Sequence, residues 1–250
     1  MRMLEGKVAI VTGAGRGLGR ALALALADAG AAVAVAGRTT SRLEEVAAVI
    51  KTAGGSALAC RTDVTDEAAV DGLVHATIDA FGRVDILVNN SGVLTTTPLL
   101  EQSAQDWDRI VDTNLRGTFL ATKAAGHHFV RQGSGKVVNI ASSFALKGTP
   151  NHAAYSASKA AIMAFTKSMA VEWARHNVQV NALAPGYFTT DINAEVRADE
   201  NVSQKVLRTI PARRMGAPAE LAPWLLLLVG PQSDYTTGSI VVIDGGQSVQ

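Results

Sequence analysis

Tyr155-Ser156-Ala157-Ser158-Lys159 opens an alanine-rich helical run, and its first and last residues carry the most usable chemistry in the chain. Tyr155 and Lys159 are four apart, so a helix places them on one face, one turn from each other. An ammonium close to a phenol favours the phenolate and lowers the tyrosine pKa. Such a pair is a proton donor and acceptor usable near neutral pH. Ser142 lies thirteen residues upstream, after the strand-like run 136–141. Its hydroxyl can bond the same substrate oxygen that Tyr155 protonates. The competing reading of Tyr-x-x-x-Lys is a tyrosine packed on an aliphatic lysine stem, and only the rest of the chain separates the two.

A second chemical stretch lies near the N-terminus. Residues 7–11 form a short apolar, β-branched run, followed by Thr12-Gly13-Ala14-Gly15-Arg16-Gly17-Leu18-Gly19 and an Ala/Leu-rich helical run to about residue 29. Strand, glycine-rich turn and helix make a phosphate-binding unit: glycines admit the pyrophosphate, and helix N-terminal amides hold it. The G-x-G-x-x-G spacing fails because Leu18 stands where the third glycine belongs; the pattern present is T-G-x-x-x-G-x-G. A second buried strand, 32–36, ends in Gly37-Arg38, where NAD-binding chains usually carry a carboxylate for the ribose hydroxyls. Arg16 sits inside the glycine turn, where a cation opposes the helix dipole unless an anion compensates. Two arginines and no carboxylate favour a 2′-phosphate, hence NADP(H), with NAD(H) possible; solvated arginines are the plain alternative.

The remaining pattern must position these groups. Helical periodicity covers 41–52, a strand covers 56–60 and runs into Arg61-Thr62-Asp63-Val64, and Thr65 or Asp66 caps a helix to about 81. Residues 85–88 read as a fourth strand ending in Asn89-Asn90-Ser91-Gly92. A long helical region, 107–130, carries Asn114 among apolar neighbours, a place where a satisfied core amide is the commoner case. A helix follows from Tyr155 to about 175, then a sixth strand at 178–183 ending in Ala184-Pro185-Gly186, a helix over 218–229 and a last strand at 239–243. Strands alternating with helices, without hairpin signals, predict parallel crossovers: an α/β, Rossmann-like, doubly wound sheet with helices on both faces. Residues 187–210 turn polar and charged at the C-terminal end of a strand, which predicts a mobile substrate lid. No linker or repeat interrupts the chain, so residues 1–250 are expected to form one dinucleotide-binding and catalytic domain.

Composition narrows the classes. The chain has 250 residues, 48% of them apolar, and a net charge of +1 without a basic stripe, so nucleic acid is not expected as a partner. Cys60 is the only cysteine, which excludes an internal disulfide and a cysteine-based zinc site. The five histidines show no ligand spacing, and no metal site is expected. Of these, only His152 falls near the Tyr155 stretch. No signal-peptide pattern and no membrane-length apolar run is seen, so a soluble cytoplasmic protein is expected.

Taken together, TGAGRGLG (12–19), NNSG (89–92), Asn114, Ser142, YSASK (155–159) and PG (185–186) resemble the short-chain dehydrogenase/reductase family over essentially the whole chain. Ser91, where alanine is usual, is the one departure. The resemblance implies a seven-stranded parallel sheet and hydride transfer between a nicotinamide and a carbonyl or carbinol carbon. It implies Tyr155 as general acid in reduction and base in oxidation. It implies that Lys159 lowers the tyrosine pKa and holds the nicotinamide ribose, that Ser142 orients the carbonyl, and that Asn114 holds a water linking Lys159 to solvent. Cofactor contacts are implied for Gly13, Gly15, Arg16, Gly17, Leu18, Gly19, Arg38, Asp63 and Val64 (adenine), Asn90 (ribose region), Gly92, Tyr155, Lys159, and Pro185, Gly186 and Thr190 (carboxamide). A homotetramer is the family's expectation.

The pocket is expected from residues after Gly92, Ser142 and Gly186: Val93, Leu94, Phe144, Leu146, Tyr187 and Phe188. These are mostly apolar or aromatic and favour a small or medium ketone, alcohol or keto sugar acid. A 3-oxoacyl-[acyl-carrier-protein] reductase is the alternative and calls for a basic docking face from Arg131, Lys136, Arg175, Arg213 or Arg214. A non-catalytic NADP(H)-binding regulator is a third class, disfavoured by the joint presence of Asn114, Ser142, Tyr155 and Lys159.

Overall fold

Seven short strands line up side by side, all parallel, in the order β3-β2-β1-β4-β5-β6-β7. They are β1 (Val8–Thr12), β2 (Ala32–Gly37), β3 (Ala57–Arg61), β4 (Ile86–Asn89), β5 (Gly135–Ile140), β6 (Val178–Pro185) and β7 (Ile240–Ile243). The structure is a computed structural model that describes residues 2–190 and 198–249. Residues of β1, β4 and β6 are buried throughout, because helices cover both sheet faces, as parallel sheets require. The strand order reverses between β1 and β4, which opens a crevice at their C-terminal ends.

The helices bury stripes spaced for that cover. Helix α1 (Gly17–Asp28) turns Leu22, Ala23, Leu26 and Ala27 inward, and α3 (Glu67–Phe81) turns Val70, Leu73, Val74 and Thr77. Helix α2 spans Thr40–Thr52. Asp66 caps α3, accepting from Ala68 N at 3.0 Å and Ala69 N at 3.3 Å; Thr65 is committed to Asp63 instead. The helix stops at Gly82, whose φ of +81° most side chains avoid.

The helical run expected over 107–130 is continuous, but it widens in the middle. Helix α4 (Ala104–Val111) passes through a π turn, Asp112–Arg116, into α5 (Gly117–Gln132). Within this wide turn the Asn114 carbonyl accepts from Thr118 Oγ1 at 2.7 Å, and Asn114 is fully buried. Sequence periodicity is blind to one inserted residue; π turns of this sort gather at functional sites.

A buried polar ladder fastens α5 and α6 (Ala153–Trp173) to the sheet. Asn89 Nδ2 donates to Thr122 Oγ1 and Asn139 Oδ1, and Asn139 Nδ2 donates to Thr166 Oγ1, each at 2.9 Å. At the N-terminal ends of β1 and β4, Asp85 accepts from Val8 N at 3.0 Å and from Arg83 at 2.6 and 2.8 Å, which neutralises a buried carboxylate.

Strand β6 runs two residues past the expected end, pairing Ala184 and Pro185 with Val242 and Ile243 of β7. Residues 218–229 divide into a 3-10 turn, Pro218–Glu220, and a helix, Ala222–Val229, with Pro223 in the first turn where its missing N–H costs nothing. The stretch expected as a lid is partly core: Phe188 is buried and bridges to Gly216. Helix α7 (Glu200–Arg208) follows, capped by Asp199, and the helix at Ala222–Val229 is α8. Residues 191–197, with Asp191, Glu195 and Arg197 of the expected lid, lie outside the described residues. Among the described residues no helix is long and apolar enough to cross a membrane.

Candidate active site

The C-terminal ends of the strands open into a cleft of about 630 Å³. Its floor is the turn after β1. Gly13 and Gly17 adopt φ of +64° and +54°, which glycine reaches without strain. A Cβ on Gly19 would overlap the Gly13 carbonyl oxygen. Gly19→Ala is therefore expected to destabilise the fold by about 2 kcal/mol and to weaken dinucleotide binding; thermal melting and cofactor titration check both.

The turn is braced from β4. Thr12 Oγ1 accepts from Asn90 N at 3.0 Å and Ser91 N at 3.1 Å, while Asn90 Nδ2 donates to Thr12 O at 3.0 Å and Gly13 O at 3.2 Å. Asn90 lines the cleft as expected, yet its amide N–H groups are engaged by the glycine turn rather than offered to a ribose. The sequence placed Thr12 at the head of the T-G-x-x-x-G-x-G pattern but gave its side chain no role; the brace to Asn90 and Ser91 comes from the fold.

Three arginines line the same wall. Arg16 occupies the N-cap of α1, which has no acidic residue in its first turn. Arg38 follows β2, and Arg42, missed by the sequence reading, lies in the first turn of α2. A Cβ on Gly15 would sit 3.1 Å from Arg42 Cβ, so that arginine's stem packs on the glycine turn. Cations at two helix N-termini oppose both dipoles, and bare backbone beside them leaves room for an anion. The residues present thus fit a phosphorylated dinucleotide. Asp63 and Val64 close this end; the Thr65 N–H holds the Asp63 carboxyl below its usual range, helped by the Thr65 hydroxyl and by Arg38 and Arg61.

The other end gathers the proton-active residues. Ser142 follows β5, accepts from Phe144 N at 3.2 Å, and stands near enough to the Tyr155 phenol to favour its phenolate. Lys159 lies one helical turn below Tyr155, its Nζ 5.7 Å from the ring centroid and 2.7 Å from the Ile140 carbonyl it donates to. The electrostatics differ from expectation. Burial raises the Tyr155 pKa, Ser142 opposes that rise, and the Tyr187 phenol adds to it. Burial pulls Lys159 down to about 8. Burial is the largest cause on both groups and shifts each toward its neutral form. A neutral phenol is the form that donates a proton, and a lysine near 8 exchanges one readily.

Asn114 does not line the cleft. Its Nδ2 donates to Val93 O and Ser158 Oγ, both at 3.0 Å, and its Oδ1 accepts from Val93 N at 2.8 Å. Ser158 Oγ in turn donates to the Tyr155 carbonyl at 2.7 Å. The amide therefore braces the loop after β4 against the first turn of α6, and both its N–H groups are taken. Its Oδ1 and Lys159 Nζ lie 3.3 and 3.5 Å from the point a Gly92 Cβ would occupy. Gly92 leaves that gap open.

Of the expected pocket residues, Val93, Leu94, Phe144 and Tyr187 line the cleft, whereas Leu146 is exposed outside it. Phe188 reaches the cleft, but its ring lies 2.8 Å from a hypothetical Gly216 Cβ, packed in the core. Pro185 and Gly186 form the rim, and Thr190 Cβ sits 3.5 Å from a Gly17 Cβ position, bridging toward the phosphate end. Thr96, Val202 and Val206 also line the cleft and were not foreseen; the valines lie in α7, where a polar stretch hid them.

A profile described as short chain dehydrogenase matches residues 7–201. The chain belongs to the short chain dehydrogenase family. It is 40% identical over 246 residues to a 2-dehydro-3-deoxy-D-gluconate 5-dehydrogenase of Escherichia coli K12, covering 97% of this chain and 96% of that one. It is 41% identical over 248 residues to a 3-oxoacyl-[acyl-carrier-protein] reductase of Synechocystis, covering 98% of each. A solved gluconate 5-dehydrogenase from Burkholderia cenocepacia, in complex with NADP and tartrate, superposes with a TM-score of 0.95 at 35% identity, over 100% of this chain and 98% of that chain. This short chain dehydrogenase is thus an oxidoreductase acting on hydroxyl or carbonyl groups.

Proposed function

We propose that this short chain dehydrogenase interconverts a free ketone and a secondary alcohol with NADP(H) in preference to NAD(H), using Tyr155 as general acid and base. The observation that carries the reading is the shared cleft: Ser142, Tyr155 and Lys159 stand at one end, Arg16, Arg38 and Arg42 at the other. The bound nicotinamide would supply or accept the hydride. In reduction, the Tyr155 phenol gives its proton to the substrate oxygen while the Ser142 hydroxyl donates to the same atom and fixes its direction. Lys159, buried beside the phenol, returns a proton to it; in oxidation the transfers reverse. The arginines hold the 2′-phosphate and pyrophosphate, and the amides at the start of α1 share that charge. Three solved structures of similar chains contain NADP, which agrees with this reading.

The carrier-protein alternative needs a basic face, and two of the five candidate cations are engaged by carboxylates. Lys136 lies at the N-terminal end of β5, away from the cleft, paired with Asp234 at 2.6 Å. Arg214 is bonded to both carboxylate oxygens of Glu220, at 2.6 and 2.7 Å. Initial rates on free ketones and on an acetoacetyl thioester, with each cofactor, test the proposal: faster turnover of the thioester would favour the carrier-protein reading. Arg38→Asp is expected to lower the NADPH/NADH ratio of kcat/KM by about tenfold or more, the worth of one charged hydrogen bond. An unchanged ratio would remove Arg38 from cofactor choice.

A further inference from the structure

His152 stands at the N-cap of α6, three residues before Tyr155, and faces the same cleft. Its Nδ1 is 2.6 Å from the Pro150 carbonyl oxygen. A carbonyl only accepts, so Nδ1 carries the hydrogen. In the neutral ring Nε2 is then the acceptor, and the Thr96 hydroxyl lies 3.2 Å from it. That hydroxyl spends its hydrogen on the histidine and keeps only lone pairs for anything else.

Thr96 is exposed and lines the cleft. Its loop is held on both sides: Asn114 bonds both backbone groups of Val93, and Thr97 N donates to Asn151 O at 2.9 Å. The His152 ring meets Phe144 edge to face at 5.1 Å, and the same phenylalanine meets Tyr155 at 6.2 Å and Tyr187 at 5.6 Å. The pair is therefore fixed relative to the Tyr155 phenol, which is what a specificity contact requires.

We propose that the Thr96–His152 pair is a hydrogen-bond acceptor that reads a hydroxyl group on the substrate, away from the carbon that reacts. The inference rests on the carbonyl–alcohol reading above and narrows its substrate class to hydroxylated ketones and the diols they form. A substrate hydroxyl donates to Thr96 Oγ1; a carboxylate oxygen or an alkyl chain has no hydrogen to give it. A site built to bond a hydroxyl discriminates against the analogue lacking one, because its own polar atom is left unpaired.

The experiment measures kcat/KM with NADPH for cyclohexanone and for its 2-, 3- and 4-hydroxy derivatives, in the wild type, Thr96→Val, Thr96→Ser and His152→Phe. The wild type is expected to prefer at least one hydroxyketone by about tenfold. Thr96→Val should erase that preference, Thr96→Ser should keep it, and His152→Phe, which retains a ring against Phe144, should weaken it. A pair that merely braced the loop would lower the rates on ketone and hydroxyketone together and leave their ratio alone. An unchanged ratio in Thr96→Val, or no preference in the wild type, would overturn the inference while leaving the carbonyl–alcohol reading intact. No turnover of any member of the series would overturn both.

Discussion

Tyr155→Phe is expected to lower kcat by about a thousandfold, the usual worth of a positioned proton donor, while leaving NADPH affinity within about twofold. The substitution removes one hydroxyl and keeps the ring, so the edge contact with Phe144 survives. Ser142 keeps its bond from Phe144 N and can still bond substrate. On the proposed reading, cofactor affinity rests on the glycine turn and the arginines at the far end of the cleft, none of which the phenol touches. Stopped-flow reduction of a ketone with saturating NADPH, with cofactor titration by fluorescence, separates the two quantities. A variant within tenfold of the wild type would remove Tyr155 from proton transfer. Loss of cofactor binding would instead assign it a structural role.

Lys159→Met should do the opposite to stability of what it does to rate. The ammonium is buried, with its pKa pulled to about 8 from the ordinary 10.5 by burial, so the folded protein resists the charged form. The unfolded chain binds more protons than the folded one between those two values. Stability therefore rises with pH through that window, and below it the full cost of the buried charge is present. Methionine keeps most of the stem's length and volume without the charge; the lost bond to the Ile140 carbonyl offsets part of the gain. The net expectation is stabilisation by about 2 kcal/mol at pH 7, or roughly 4–8 °C in Tm for a chain of this size. Turnover should fall by two orders of magnitude or more. The pH dependence of Tm over this window should flatten in the variant. A variant that melts lower than the wild type at pH 7 would show that the contacts of the ammonium outweigh the cost of burying it.

The sequence by itself determined the elements and most of the wall of the cleft. Alternating strands and helices can close only as parallel crossovers, and that alternation is a property of the chain. The glycine turn was legible because strand, glycines and helix are contiguous. Tyr155 and Lys159 were legible because four residues on a helix guarantee one face. What required the tertiary structure were meetings between distant segments and the balance of opposing energies. Arg42 joins Arg38 and Arg16 only because α2 folds back beside Gly15. Asn114 leaves the cleft wall and becomes a brace because a π turn, invisible to helical periodicity, carries it inward to Val93 and Ser158. Thr96 and His152 are fifty-six residues apart, and no spacing rule joins a loop after β4 to the start of α6. Spacing correctly placed the lysine beside the phenol. It could not weigh the attraction between their charges against the loss of water around both, because burial exists only once the chain has folded.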